Sequence, residues 1–200
     1  MNIVSAKFIK GIVGADEILD DGIPQVAFVG RSNVGKSSVI NTLANKKDLA
    51  KTSSFPGRTR EINIFLVSAK GGSASGGNSF YLVDLPGYGF AKGSKGEQEK
   101  IQSLIYWYLL DSRYQQKKVV LIIDAELGAT NNDLQMLHSL KEQGKDVVVV
   151  ANKVDKIKKS SYKKQMADIQ NTLGDCKIIP YSAEKKIGIS ELAYEIFLLN

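Results

Sequence analysis

The chain is poor in the features that would take it out of the cell or into a membrane. Its single cysteine, Cys176, cannot form an intramolecular disulfide. It has no uninterrupted apolar run of the roughly eighteen residues that a spanning helix needs, so no membrane span is expected. Its longest apolar runs, Val119 to Ile123 and Val147 to Ala151, are strand-sized. Met1 to Lys7 lacks the long apolar segment of a secretion signal. There is no internal repeat, no long linker, no arginine-rich arm and no aromatic RNA-binding signature. These absences point to a cytoplasmic chain, with one domain over residues 1–200 and a monomer expected.

What is present suits a full hydrophobic core: 200 residues, 43% of them hydrophobic. Lys and Arg number 27 against 21 Asp and Glu, a net charge of +6. That balance permits attraction to RNA, a ribosome or an anionic membrane surface, and it equally fits a lysine-rich solubilising surface.

Short apolar runs alternate with segments of helical period, which predicts an α/β fold: a three-layer α/β/α sandwich with a mostly parallel sheet and one antiparallel strand. Strands are expected at Gln25 to Val29, Ile62 to Val67, Phe80 to Asp84, Val119 to Asp124, Val147 to Asn152 and Lys177 to Pro180. Helices are expected at Lys36 to Ala44, Glu97 to Leu110, Asn131 to Gln143, Ser160 to Leu173 and Ser190 to Leu198, the last with Ser190 as its cap. Lys47 to Arg60 and Leu85 to Gly96 read as loops, and the Gly/Ser-rich Lys70 to Ser79 as a flexible hairpin connection.

Four stretches carry chemistry. Gly30-Arg31-Ser32-Asn33-Val34-Gly35-Lys36-Ser37 fits the phosphate-binding pattern G-x-x-x-x-G-K-[S/T] and lies between a buried strand and a helix. Its glycines let backbone N–H groups curl around phosphate oxygens, and the helix N-terminus adds its positive end. Lys36 is placed to reach the outer phosphates, and the Ser37 hydroxyl to ligate magnesium. Asp84-Leu85-Pro86-Gly87 follows a strand; Asp84 can hold the magnesium through water, and Gly87 can offer its N–H to a terminal phosphate. Asn152-Lys153-Val154-Asp155 selects the base. The Asp155 carboxylate can accept from the guanine N1–H and amine, a donor pair that adenine lacks; the Lys153 stem can lie over the ring, and Asn152 can tie the turn to the phosphate loop. After the last strand, Tyr181-Ser182-Ala183 supplies a turn whose Ala183 N–H could meet the guanine oxygen.

A threonine is also needed whose hydroxyl meets magnesium and whose N–H meets the terminal phosphate. Thr52 and Thr59 are the candidates in Lys51 to Arg60; Thr59, shortly before the strand at Ile62, is the choice.

Together these motifs resemble the EngB (YihA/YsxC) family of bacterial GTPases, within the TrmE-Era-EngA-YihA-Septin-like group, over nearly the whole chain. The most telling stretches are Gly30 to Ser38, Phe55-Pro56-Gly57-Arg58-Thr59-Arg60, and Asp84-Leu85-Pro86-Gly87-Tyr88-Gly89-Phe90-Ala91-Lys92. The resemblance implies a GTP-hydrolysing switch with nucleotide contacts extending to Ser38 and to Gly57, Arg58, Thr59, Arg60 and Glu61. Lys36, Thr59 and Gly87 would carry catalysis. It implies a magnesium cofactor, a role in assembly of the large ribosomal subunit through rRNA and proteins, and a need for it in cell division and septation. It also raises potassium as a second cation, held in part by Asn33.

Tyr88 stands where Ras-like enzymes place a water-orienting Gln, which predicts slow intrinsic hydrolysis. Potassium, a ribosomal activator, or Arg58 and Arg60 acting in cis could supply the missing help. Two other readings compete: an assembly factor whose hydrolysis is incidental, and a P-loop ATPase or kinase, against which Asn152 to Asp155 argues. His138 reads as structural, and Cys176 as a small residue near a strand start. Tyr106, Trp107 and Tyr108 point in different directions on a helix, so at least one belongs to the core. Lys156, Lys158, Lys159, Lys163 and Lys164 form either a solvated face or an RNA contact.

Overall fold

The computed structural model describes residues 2–50, 61–70, 79–89 and 94–197. Seven strands form one sheet: β1 (Asn2–Ile12), β2 (Gln25–Gly30), β3 (Ile62–Lys70), β4 (Ser79–Asp84), β5 (Gln116–Asp124), β6 (Val147–Asn152) and β7 (Ile178–Pro180). Their order is β1-β3-β4-β2-β5-β6-β7. β3 pairs antiparallel with both β1 and β4, and every other pairing is parallel. β3 is therefore the one reversed strand, as expected. The central strands read as continuous apolar runs because both their faces are covered.

The helices are α1 (Lys36–Leu43), α2 (Lys95–Tyr106), α3 (Asn131–Glu142), α4 (Tyr162–Leu173) and α5 (Ile189–Phe197). Strand side chains alternate between two cores. Val26, Phe28, Val120 and Ile122 meet Val39 and Ile40 of α1 and Leu192 and Ile196 of α5. Ala27, Val29, Leu121 and Ile123 meet Ile105 of α2, Leu137 of α3 and Ile169 of α4. This is the expected three-layer sandwich.

Several boundaries differ from expectation, each for a local reason. β1 was not expected, because its pairing with β3 slips between Ile3 and Ser5 and again between Phe8 and Lys10, which breaks the two-residue alternation of a strand. α2 begins two residues early, because the Ser94 hydroxyl accepts from the Glu97 N–H and the Glu97 carboxylate accepts from the Ser94 N–H. Its last turn widens into a π-helix at Trp107–Asp111, closed by the Ser112 hydroxyl donating to the Tyr108 carbonyl at 2.8 Å. Within it Tyr108 is fully buried, with its hydroxyl donating to Gln25 Oε1 at 2.8 Å; Tyr106 and Trp107 are half-buried against the same core. Tyr108 is thus the core member of the trio, as at least one had to be, with Tyr106 and Trp107 packed against that core from its margin. α5 starts at Ile189, so Ser190 lies inside its first turn and does not cap it. The expected connection at residues 71–78 lies outside the described residues.

No described helix is long and apolar enough to cross a membrane.

Candidate nucleotide-binding site

Five strands, β4, β2, β5, β6 and β7, are joined by parallel pairings, so their C-terminal ends face one edge of the sheet, and the chemistry-bearing turns gather there. β2 delivers the phosphate-binding loop Gly30 to Ser37. Gly35 caps α1 with φ 91°, and a Cβ there would lie 2.4 Å from Asn152 Nδ2, so only glycine fits. Ser37 and Ser38 open α1, half-buried in its first turn. β4 delivers Asp84, which is 2% exposed and paired with the Lys36 ammonium. Leu85 and Pro86 are buried behind it, and the Leu85 N–H donates to the Phe28 carbonyl at 3.1 Å. Among the described residues no cluster of three or more His, Cys, Asp or Glu could hold a metal. One serine hydroxyl and one carboxylate do suit a magnesium ion that draws its other ligands from phosphate and water.

β6 delivers the base-reading turn. The buried Asn152 amide donates to the Val34 carbonyl at 2.8 Å, which ties the turn to the phosphate loop as anticipated. Lys153, at φ 68°, extends its ammonium to the Asn33 carbonyl at 2.7 Å and to Asp124 Oδ2 at 2.6 Å. Asp124 ends β5, so three successive strands hold the one lysine stem in place. The Asp155 carboxylate accepts from the Ser182 hydroxyl, which also accepts from the Lys185 N–H at 2.9 Å. The Ala183 N–H points toward Asn152 Oδ1 at 3.4 Å. Tyr181 turns its side chain inward, where its hydroxyl meets Thr42 Oγ1 at 2.8 Å; burial pushes that phenol up to about 12. What Tyr181 presents to the turn is its carbonyl, which accepts from the Val154 N–H at 3.1 Å. Gly35, Asn152, Lys153, Asp155 and Ala183 line one side of a cleft of about 1060 Å³.

The segment after Asp84 folds onto the phosphate loop. The Ser32 N–H donates to the Tyr88 carbonyl at 2.9 Å, and the Tyr88 N–H to the Gly30 carbonyl at 3.2 Å, so Arg31 and Tyr88 pair as a short parallel bridge. A Cβ on Gly87 would fall 2.8–2.9 Å from Ser32 atoms, two of them backbone. Tyr88 is 7% exposed, and its hydroxyl donates to Asp133 Oδ1 at 2.7 Å. Burial, with the Asp133 charge behind it, pushes this phenol well above its usual range. Tyr88 therefore faces α3 and not the phosphate loop. A separate groove of about 350 Å³ lies beside it, walled by Ile101, Tyr106, Asn132 and Met136.

Glu61 lies exposed at the start of β3, with its side chain over Gly11 of β1. Gly57, Arg58, Thr59 and Arg60, together with Thr52, lie outside the described residues, as do residues 90–93. Asp133 and the Asp124–Lys153 pair escaped the motif reading. A signal for the first was there in Thr130-x-x-Asp133, a helix-start pattern. His138 is exposed and faces Glu142 at 3.3 Å, and burial raises the Cys176 thiol; both fit structural roles.

A phosphate loop at a strand-to-helix turn, an acid at the end of the neighbouring strand and an Asn-Lys-x-Asp turn clamped to that loop define a P-loop GTPase. The family described as 50S ribosome-binding GTPase matches residues 25–153. The chain is 45% identical over 200 residues to the "Probable GTP-binding protein EngB" of Clostridium perfringens, covering 98% of this chain and 96% of that one. Among solved structures it is similar to a probable GTP-binding protein EngB, at TM-score 0.67 and 27% identity over 88% of this chain and 97% of that one. It also resembles Era in complex with MgGDPNP and nucleotides of 16S ribosomal RNA, at TM-score 0.68 and 26% identity over 88% of this chain and 56% of that one. The chain belongs to the EngB family of GTP-binding proteins, and it is a GTPase.

Proposed function

We propose that this chain, as a single cytoplasmic GTP-binding domain and a monomer, is a slow GTPase switch that acts in assembly of the large ribosomal subunit and supports cell division and septation. The observation that carries the switch reading is the double attachment of the site. Asn152 and Lys153 tie the base-reading turn to the phosphate loop, while Tyr88 ties the loop after Asp84 to that same phosphate loop by its backbone. Base and phosphate contacts thereby meet at Gly30 to Ser37. The ribosomal part is supported by the 50S ribosome-binding description of the matching family and by the ribosomal RNA bound to the related Era.

Asp155 accepts from guanine, with Ala183 N–H at its carbonyl oxygen. The main-chain N–H groups of Arg31 to Ser38 surround the phosphates, and Lys36 compensates their charge. Ser37, Thr59 and, through water, Asp84 would hold a magnesium ion, which would supply charge compensation to the phosphates. Gly87 offers its N–H to the terminal phosphate, and Gly57 to Glu61 are the further nucleotide contacts that the family resemblance implies. Hydrolysis is slow because the Tyr88 hydroxyl is engaged by Asp133 of α3, so the residue standing where a water-orienting Gln would be is turned to other use. The isolated protein should turn over on the order of 10⁻⁴ to 10⁻³ per second. A single-turnover rate above about one per second would defeat this reading. Running that assay in potassium and in sodium tests Asn33 as a potassium ligand, for which equal rates would leave no role.

The decisive experiment is co-sedimentation with ribosomal subunits. Retention on the large subunit with a GTP analogue and release with GDP is expected; equal retention with both would remove the switch. Tyr88 also keeps the second reading in play, an assembly factor whose hydrolysis is incidental. If a GTP-locked form supports assembly through repeated rounds, that reading replaces the first.

A further inference from the structure

Gly87 is the residue whose N–H would meet a terminal phosphate, and its own direct hydrogen bond is a long one, from the Ser32 hydroxyl to its carbonyl at 3.4 Å. It has no side chain, and Pro86 before it carries no polar side-chain group. What holds the segment is Tyr88. Its backbone bridges Gly30 and Ser32, and its ring is driven into the core under α2 and α3. Its hydroxyl ends on a carboxylate that is itself fixed: Asp133 is 1% exposed, and its Oδ2 accepts from both the Thr130 N–H at 2.9 Å and the Thr130 hydroxyl at 2.7 Å. The carboxylate thus takes three donors at the first turn of α3, where the helix also favours negative charge.

We propose that Asp133, acting through the Tyr88 hydroxyl, is a positioning residue for the terminal-phosphate contact: the buried Tyr88–Asp133–Thr130 chain pins the loop to helix α3 and sets where the Gly87 N–H lies. The proposal rests on Gly87 meeting the terminal phosphate. A hydrogen bond from a phenol to a buried carboxylate is stronger than a neutral one, and its loss leaves Gly87 held by the backbone bridge, the long Ser32 contact and the buried Leu85, with no tie to helix α3. The Gly87 contact belongs to GTP alone, so the chain affects discrimination between nucleotides, whereas grip on the guanine runs through Asn152, Lys153 and Asp155, and grip on the inner phosphates through the N–H groups of the phosphate loop.

The test compares Kd for GDP and for a non-hydrolysable GTP analogue in the wild type, Tyr88→Phe and Asp133→Asn. Tyr88→Phe keeps the ring in the core and removes only the hydroxyl. Affinity for the analogue should fall about five- to tenfold, the scale of one hydrogen bond to a charged group, with GDP affinity changed by less than about twofold. An unchanged ratio of the two constants, or an equal loss of both, overturns the proposal. Thermal denaturation identifies a variant that fails to fold, and Tyr88→Phe then decides alone. Wild-type protein that bound neither nucleotide would instead overturn the GTP-binding reading on which the proposal stands.

Discussion

At the scale of single residues, the site turns on which side chains accept and which donate. Asp155 is held by the Ser182 hydroxyl with its carboxylate beside the cleft, and an acceptor pair there suits guanine. Asp155→Asn replaces one acceptor by a donor, so GTP affinity should fall about 100-fold or more while xanthosine triphosphate, which carries a carbonyl in place of the guanine amine, gains; competition binding with the two nucleotides checks both directions. This residue was legible in the sequence, because the Asn-Lys-x-Asp spacing follows a strand and each side chain has one job. Asp133 and Asp124 were not. Each acts on a partner distant in the chain, Tyr88 at 45 residues and Lys153 at 29, and such a meeting exists only once the sheet has formed.

At the scale of elements, α5 is held to the sheet by charge as well as by its apolar face. Glu195 accepts from Lys118 of β5 at 2.9 Å and pairs with Lys177, while Lys118, only 7% exposed, also meets Asp146 at 2.9 Å. Burial works to raise the Glu195 carboxyl, but the hydrogen bonds and charges of Lys177 and Lys118 outweigh it and hold the group below its ordinary 4.5. The folded value is the lower one, so this cluster's stabilisation is complete above about pH 4.5 and disappears as the pH falls through the folded value. Glu195→Gln should cost about 1–3 kcal/mol at pH 7, and its melting temperature should drop less between pH 7 and pH 3 than that of the wild type. Calorimetry at the two pH values is the measurement. Element types were legible wherever one period ran unbroken, as in Val147 to Asn152. The bulged β1 and the π-turn at Trp107 were not, because each breaks the period that identifies an element.

At the scale of the whole molecule, the sheet separates two tasks. The turn at Tyr181 is rooted in the core under α1 and α5, and Leu85 and Tyr88 in the core under α2, α3 and α4. From the base-reading turn into the first turn of α4 run Lys156, Lys158, Lys159, Lys163 and Lys164, all exposed. If they meet ribosomal RNA, replacing Lys158, Lys159, Lys163 and Lys164 by Gln should flatten the salt dependence of ribosome binding by roughly 0.7–0.9 in log–log slope for each phosphate no longer neutralised; an unchanged slope would mark them as a solvated face. The groove beside Tyr88 shares no lining residue with the guanine cleft. Because Gly87, Tyr88 and Gly89 line that groove, an occupant would touch the phosphate-sensing segment directly and the base-reading turn not at all, and by linkage its grip and that of GTP would each alter the other.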